Sequence, residues 1–193
     1  MSTAAVAAPT RTGQVLADLL PASRVRDIAL VVGGAALTGL AAQIAVPVPG
    51  SPVPVTGQTF AALLVGTALG AGRGVAALAL YALAGLAGVP WFAGGSHGIG
   101  VSFGYILGML LASAAVGALA RRGADRSVLR TAGTMLLGSA IIYAVGVPYL
   151  ALSAGMSVSA AVAAGLTPFL IGDALKAALA MGLLPTAWKL LDK

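Results

Sequence analysis

The sequence predicts an all-α integral membrane bundle of six transmembrane helices, with both termini in the cytoplasm. Hydrophobic residues make up 59% of the 193 residues, charged residues make up 8%, and the chain has no glutamate. Soluble domains carry roughly 25% charged residues, because a chain of this size outside lipid needs a solvated surface. Here long apolar segments alternate with short basic clusters, which is the pattern of a multi-pass membrane protein.

The chain before the first span is expected to be a cytoplasmic leader over residues 1–26, partly disordered or amphipathic over residues 1–23. It does not read as a cleaved signal peptide, because it has no basic start and charged residues interrupt any apolar core. Residues 27–193 are expected to form one six-helix transmembrane substrate-binding domain. We find no internal repeat and no second soluble domain in the sequence.

Each of the six spans is an apolar segment bounded by turn residues or charges. The predicted spans cover residues 28–46, 57–71, 75–89, 100–120, 132–152 and 166–190. The first ends at a run that starts with Pro47 and Pro49, and the third stops at Pro90, because proline cannot continue a helix. The second and third are short for a membrane crossing, which takes about 20 residues.

The orientation follows from the charges of the loops. Residues 47–56, 90–99 and 153–165 contain no lysine or arginine. With six spans, the following basic residues all fall on the other side: Arg11, Arg24, Arg26, Arg73, Arg121, Arg122, Arg126, Arg130, Lys189 and Lys193. Basic loops stay in the cytoplasm, so both termini are predicted to be cytoplasmic. An odd number of spans would break this assignment.

Two opposite charges lie inside the last predicted span. Asp173 and Lys176 are three residues apart and share one face of a helix. An ionisable pair at membrane depth is costly and usually marks a substrate or ion path. We therefore predict that both side chains point into a cavity closed from lipid. The alternative is a self-neutralising pair that only pins a helix contact.

Other polar residues are candidates for the same cavity. Gln58 is the strongest, because a buried amide needs partners and can both donate and accept hydrogen bonds. Weaker candidates, each of which also fits a packing or interface role, are Gln43, Thr56, Thr59, Tyr81, Ser102, Tyr105, Tyr143 and Tyr149. His97 is expected to be a solvated loop residue. Trp91 fits two roles equally well, a residue of the pocket wall or an aromatic residue at the membrane interface.

Several function classes are disfavoured by what the sequence lacks. It has no cysteine, one histidine and few carboxylates, so we expect no metal site. Ser102 has no neighbouring base to activate it, so we expect no catalytic residues. The net charge of +6 does not indicate nucleic-acid binding, because the basic residues flank apolar spans. No phosphate-binding loop motif occurs, so ATP-driven transport would need another subunit as its motor.

The first span carries pairs of small residues at four-residue spacing. Such pairs allow a second helix to approach closely. The pairs are Ala29 with Gly33, Gly34 with Thr38, and Ala35 with Gly39. They predict a docking surface for a partner helix, although any one pair equally fits packing within the bundle.

Four stretches carry a resemblance to a known family. They are Ser51-Pro-Val-Pro-Val-Thr-Gly-Gln-Thr-Phe60, Gly88-Val-Pro-Trp-Phe-Ala-Gly-Gly95, Gly104-Tyr-Ile-Leu-Gly108 and Pro168-Phe-Leu-Ile-Gly-Asp-Ala-Leu-Lys-Ala177. With the six-span plan they make the chain resemble BioY, the biotin-specific S component of energy-coupling factor (ECF) vitamin transporters. The S component is the substrate-binding subunit. One stretch departs from the family pattern, because residues 100–105 read Gly-Val-Ser-Phe-Gly-Tyr where relatives often have Gly-Pro-Thr-Gly-Gly-Tyr.

The resemblance implies high-affinity biotin capture in a pocket on the extracellular side of a bacterial cytoplasmic membrane. The residues expected to bind biotin are Asp173, Lys176, Gln58, Tyr105, Trp91, Phe92, Gly94 and Gly95. Ala29, Gly33, Ala35 and Gly39 are expected to dock onto a transmembrane coupling subunit, to which two ATPase subunits attach. The chain itself is expected to hold no cofactor, since ATP is used by the partners.

Three alternatives stay open at this point. The first is an S component for another small vitamin, such as thiamin or riboflavin. The second is an intramembrane enzyme with Asp173 as acid or base, and the third is a structural subunit without a ligand. The sequence also leaves open whether the chain works alone, as a homo-oligomer, or with a shared energising module.

Overall fold

A computed structural model describes residues 13–191 of the chain. Their elements are α1 (Arg24–Ala42), β1 (Ala45–Val46), β2 (Val55–Thr56), α2 (Gln58–Leu86), α3 (Phe103–Arg121), α4 (Val128–Ser153), α5 (Val158–Gly165) and α6 (Leu170–Leu191). Three short 3₁₀ helices cover Leu16–Leu19, Ala93–Gly95 and Thr167–Phe169. The two strands pair antiparallel and join the ends of the loop between α1 and α2.

Five helical stretches among the described residues are long and apolar enough to cross a membrane. They are Arg24–Ala42, Gln58–Leu86, Phe103–Arg121, Val128–Ser153 and Val158–Leu191. The mostly helical membrane fold predicted from the sequence is therefore confirmed. The number of such stretches is five rather than six, because the second and third predicted spans both fall within α2.

The α2 helix is broken at Gly70, and its halves fold back on each other. Gly70 has φ 81° and ψ 168°, a backbone conformation essentially restricted to glycine. The Tyr81 hydroxyl donates a hydrogen bond of 2.8 Å to Gln58 Oε1, although a straight helix would separate these residues by about 34 Å. Residues 58–69 and 71–86 are thus two antiparallel half-helices.

Glycines let the central helices approach closely. A Cβ atom added at Gly66 of α2 would lie 2.7 Å from the Cα of Ser113 in α3, and one at Gly108 of α3 would lie 2.8 Å from the Cα of Ile142 in α4. Real side chains do not tolerate such contacts with a backbone, so these crossings require glycine. Small residues at helix contacts are the usual means of packing helices in lipid.

The last apolar stretch, Val158–Leu191, is not one continuous helix, and it begins before the predicted span 166–190. A short helix α5 lies in the predicted loop 153–165, a 3₁₀ turn that contains Pro168 follows, and α6 begins at Leu170. Asp173 therefore lies in the first turn of α6. The positive end of the helix dipole favours a negative charge at that place.

The opposite end of α6 is fixed by the loop between α3 and α4. The Trp188 indole N–H donates a hydrogen bond of 2.7 Å to Oδ2 of Asp125, which is fully buried. The guanidinium of Arg126 lies 4.3 Å from the centre of the Trp188 ring. Burial raises the pKa of Asp125 above its ordinary value.

The described part of the predicted leader packs against the bundle. Val15 is fully buried, and Asp18 forms ion pairs with Arg73 of α2 and Arg121 of α3. Burial raises the pKa of Asp18, but hydrogen bonds from the Val15 amide and Arg73 outweigh it and hold the pKa below 3.8. Specific contacts therefore hold the described part of the leader against the bundle. The first twelve residues of that leader lie outside the described residues.

Candidate ligand-binding site

The Asp173–Lys176 pair lies inside the bundle and is supported by two hydroxyl groups. Lys176 Nζ donates to Asp173 Oδ1 at 3.2 Å and to Thr59 Oγ1 at 2.8 Å. The Tyr143 hydroxyl donates to Asp173 Oδ2. The Asp173 side chain is only 15% exposed, and the Lys176 side chain is 18% exposed. The pair is therefore held by α2 and α4 as well as by its own helix.

A small polar cavity opens beside this pair. Its walls come from the loops after β1 and α2 and from α2, α3, α4 and α6; they are Val53, Pro54, Thr56, Gln58, Thr59, Ala93, Ser102, Tyr105, Tyr143, Phe169, Asp173 and Lys176. The free space is about 20 Å³, which accommodates about one water molecule. Sites for vitamin-sized ligands hold roughly 300–1,000 Å³. The free space beside the pair is therefore much smaller than such a site.

Gln58 lies in the cavity wall as predicted and is fixed by an aromatic cluster. Its Oε1 accepts from Tyr81, whose carbonyl in turn accepts a 2.9 Å hydrogen bond from the Trp91 indole N–H. The Tyr81 ring lies 5.3 Å from the Trp91 ring and 5.2 Å from the Phe92 ring, measured between centroids. Trp91 and Phe92 are not among the walls of this cavity, and their contact with a ligand stays a prediction. They brace Tyr81 because their rings face α2.

The two predicted loop glycines lie outside the walls of this cavity. Gly94 and Gly95 are exposed, with positive φ angles of 63° and 76°, and the neighbouring Ala93 lines the cavity. The turn accounts for glycine at both positions, and their contact with a ligand stays a prediction. The side-chain amide of Gln43 fixes this loop to α1 through the carbonyls of Trp91 and Phe92, at 3.1 and 3.3 Å.

Tyr105 lines the cavity as predicted, but its hydroxyl is already used. It donates a 2.8 Å hydrogen bond to the Gly165 carbonyl at the end of α5. Sequence reasoning placed Thr59 and Tyr143 only among the weaker candidates, although both contact the ion pair. The sequence positions of these two residues could have indicated the contact, since Thr59 follows Gln58 directly and Tyr143 lies in an apolar span. Position alone does not distinguish Tyr143 from Tyr149, which lies in the same span.

Comparison with known proteins places the chain in a family. The model of the BioY family matches residues 11–193. The chain belongs to the BioY family. A curated protein of Pyrococcus horikoshii named "Probable biotin transporter BioY" is 35% identical over 162 residues, which cover 82% of this chain and 93% of that protein. "Biotin transporter BioY2" of Lactococcus lactis subsp. cremoris is 33% identical over 160 residues, covering 81% of this chain and 87% of that protein.

A solved structure has the same fold. The crystal structure of the S-component for biotin from an ECF-type ABC transporter matches with a TM-score of 0.77 at 20% sequence identity. The match covers 88% of this chain and 95% of that one. The BioY family resemblance drawn from four short motifs is therefore confirmed over nearly the whole chain.

In this member of the BioY family, the four predicted docking residues separate into two groups. Ala29 and Gly33 are exposed and line an outward-facing groove of about 440 Å³ between α1, α2 and α6. Ala35 is 1% exposed, and a Cβ atom at Gly39 would lie 2.9 Å from the ring of Trp91. Ala35 and Gly39 therefore pack within the bundle, and the docking role of all four residues stays a prediction.

The site contains groups suited to binding rather than to metal chemistry. No cluster of three or more metal-ligating side chains occurs within residues 13–191. His97 is exposed in the loop before α3, away from the cavity walls. What the cavity offers is one anion, one cation, an amide and several hydroxyls, with apolar walls from Val53 and Phe169.

Proposed function

We propose that this chain is the biotin-binding S component of an ECF-type transporter and serves biotin uptake across the cytoplasmic membrane. The observation that carries the proposal is the Asp173–Lys176 pair in an enclosed cavity at membrane depth. Membership of a family whose curated relatives are named biotin transporters supports it. Those relatives favour transport over the enzyme and structural-subunit alternatives.

Biotin presents groups that match this pair. Its ureido ring has two N–H donors and one carbonyl acceptor, and its side chain ends in a carboxylate. An ionised aspartate only accepts hydrogen bonds, so Asp173 binds a ureido N–H. Lys176 donates to the ureido carbonyl or pairs with the carboxylate. Hydrogen bonds to charged groups contribute about 1.5–3 kcal/mol each, so the loss of either side chain weakens binding severely.

Six crossings with both termini in the cytoplasm are part of the proposal. The antiparallel halves of α2 each supply one crossing, and Arg73 lies at the start of the second half, close to the break at Gly70. Arg73 and Arg121 both pair with Asp18 at one end of the bundle, as cytoplasmic placement of basic residues requires. The chain has no cysteine, so single cysteines at positions 72 and 97 test this directly with a membrane-impermeant thiol reagent. Labelling from the same side at both positions would contradict six crossings.

The energising partners are a coupling subunit and two ATPase subunits, with no cofactor in this chain. The groove at Ala29 and Gly33 is where a partner helix docks, because small residues there leave room for close approach. Gly33→Leu fills the groove and is expected to reduce co-purification with the coupling subunit while biotin binding is retained. Normal co-purification would contradict docking at this groove.

Calorimetry on the detergent-purified protein tests biotin binding. We expect tight binding by the wild type, a loss of at least tenfold in Asp173→Asn and in Lys176→Ala, and no change in Asp27→Asn. Asp27 is a matched control because it is half-exposed and pairs with Arg26 at the start of α1. Thiamin and riboflavin serve as competitors, since each is a ligand that an S component for another vitamin would bind. Folded protein without heat or thermal shift in biotin would refute the proposal.

A further inference from the structure

The Asp173 carboxylate lies between two spaces of opposite character. On one side is the polar cavity, and on the other is a groove of about 640 Å³ between α4, α5 and α6. The groove opens outward and is lined almost entirely by apolar side chains, including Val147, Leu166 and Ala177. Asp173 and Tyr143 are the two residues that line both spaces. Together they form the partition between them.

A carboxylate beside an apolar groove at membrane depth needs hydrogen-bond donors on each oxygen. Lys176 supplies one to Oδ1, and the Tyr143 hydroxyl supplies one to Oδ2. Lys176 is itself held by Thr59, on the side of α2. Tyr143 is thus the donor that α4 contributes. Without it, Oδ2 would have no hydrogen-bond donor among the described residues.

We infer that Tyr143 is a positioning residue, which orients the Asp173 carboxylate toward a ureido N–H of the ligand. The inference rests on the proposed function, since it deepens the account of how the same cavity recognises its ligand. A carboxylate oxygen has two acceptor sites, so each oxygen of Asp173 keeps one for the ligand after its bond to Tyr143 or Lys176. A carboxylate held at both oxygens does not have to be ordered when the ligand arrives, and this saves binding free energy.

Two other tyrosines show that the role is specific. The Tyr105 hydroxyl also lies at the cavity, but it donates to a backbone carbonyl. Tyr149 lies on the same helix as Tyr143, and its ring packs against Phe103 with centroids 6.4 Å apart. Within residues 13–191 the Tyr149 hydroxyl has no hydrogen-bond partner. Tyr149→Phe is therefore a matched control for Tyr143→Phe.

The test combines biotin affinity with a spectroscopic probe of the carboxylate. We expect Tyr143→Phe to bind biotin about tenfold or more weakly and Tyr149→Phe to bind as the wild type does. In a double-mutant cycle, Tyr143→Phe is expected to cause little further loss in an Asp173→Asn background, because it acts through Asp173. The chain has only five aspartates and no glutamate, so infrared difference spectra resolve the Asp173 carboxylate band, assigned with Asp173→Asn. That band is expected to shift in Tyr143→Phe alone.

The outcomes separate this inference from the proposed function. Equal biotin affinity of Tyr143→Phe and wild type, additive losses in the cycle, or an unshifted carboxylate band would each overturn the positioning role. If the wild type binds no biotin, the proposed function fails. The infrared band then still decides whether Tyr143 orients Asp173, because that measurement needs no ligand and only folded protein.

Discussion

Replacement of Lys176 by methionine tests whether the ion pair is kept for binding or for stability. The substitution retains most of the apolar stem and removes the donors to Asp173 at 3.2 Å and to Thr59 at 2.8 Å. At an effective dielectric constant of about 20, two unit charges 3.2 Å apart, as in the Asp173–Lys176 pair, attract by about 5 kcal/mol. Desolvation of both groups offsets much of this attraction. Removal of one partner from a buried pair costs about 3–5 kcal/mol, because the other charge is left uncompensated.

The assay is thermal unfolding of the purified protein in detergent without ligand. A chain of this length loses about 2–4 °C in Tm per kcal/mol, so Lys176→Met is expected to lower Tm by about 6–20 °C. Lys189→Met is the matched control, because Lys189 is exposed at the other end of α6. Its Tm is expected to stay within about 2 °C of the wild type, since surface substitutions are usually near neutral.

The double variant Asp173→Asn with Lys176→Met gives the decisive comparison. Replacement of a whole buried ion pair by neutral groups is often neutral or stabilising. We therefore expect the double variant to recover most of the lost Tm while it binds no biotin. Such a result would mean that the pair costs stability and is kept for the ligand. The reasoning is refuted if the double variant is as unstable as Lys176→Met, or if Lys176→Met unfolds at the wild-type temperature.

Four further predictions concern the scaffold, and thermal unfolding in detergent measures each of them. Gly108→Ala is expected to lower stability by about 1–3 kcal/mol through a backbone clash, whereas Gly133→Ala, with open space around it, is expected to be neutral or stabilising. Gly70→Ala is expected to cost about 1–3 kcal/mol, because alanine disfavours φ 81° with ψ 168°. Because the pKa of Asp125 is raised in the folded state, its contribution to stability falls as pH rises from about 4, and Asp125→Asn should remove this slope. The pKa of Asp18 is lowered in the folded state, so its contribution to stability is present above pH 3.8 and is lost as the pH falls further. Asp18→Asn should remove this contribution. An unchanged dependence of stability on pH in Asp125→Asn or in Asp18→Asn would contradict the respective assignment.

The helices were largely predictable from the sequence, because hydropathy and proline positions mark where apolar segments begin and end. The break at Gly70 was harder to place. Residues 66–72 carry no charge or proline to mark a turn, and Arg73 only suggests its side. The helix that carries Asp173 was predicted to start four residues too early, because Pro168 is compatible with the first turn of a helix. The short helix α5 was missed, because its segment was assigned to a loop.

The charged residues of the site could be predicted from the sequence, whereas the positions of its aromatic residues could not. Asp173 and Lys176 are costly in a membrane, so their presence there already indicates a function, and their burial agrees. Trp91 and Phe92 carry no such cost, because aromatic rings suit a pocket, a core and a membrane interface equally well. Only the orientation of the two rings toward Tyr81 decides among these uses. That orientation depends on contacts between residues that are far apart in the sequence.

The same argument applies to the small residues of α1. Small residues recur around this helix, and a spacing of four residues places a pair on one face without telling which face meets the bundle. Gly39 faces inward because the ring of Trp91, 52 positions later, needs the space that a side chain would occupy. Ala29 and Gly33 face outward because α2 and α6 diverge beside them and leave a groove. A docking face in a membrane protein is therefore identified by the neighbours that a helix lacks, which no local pattern records.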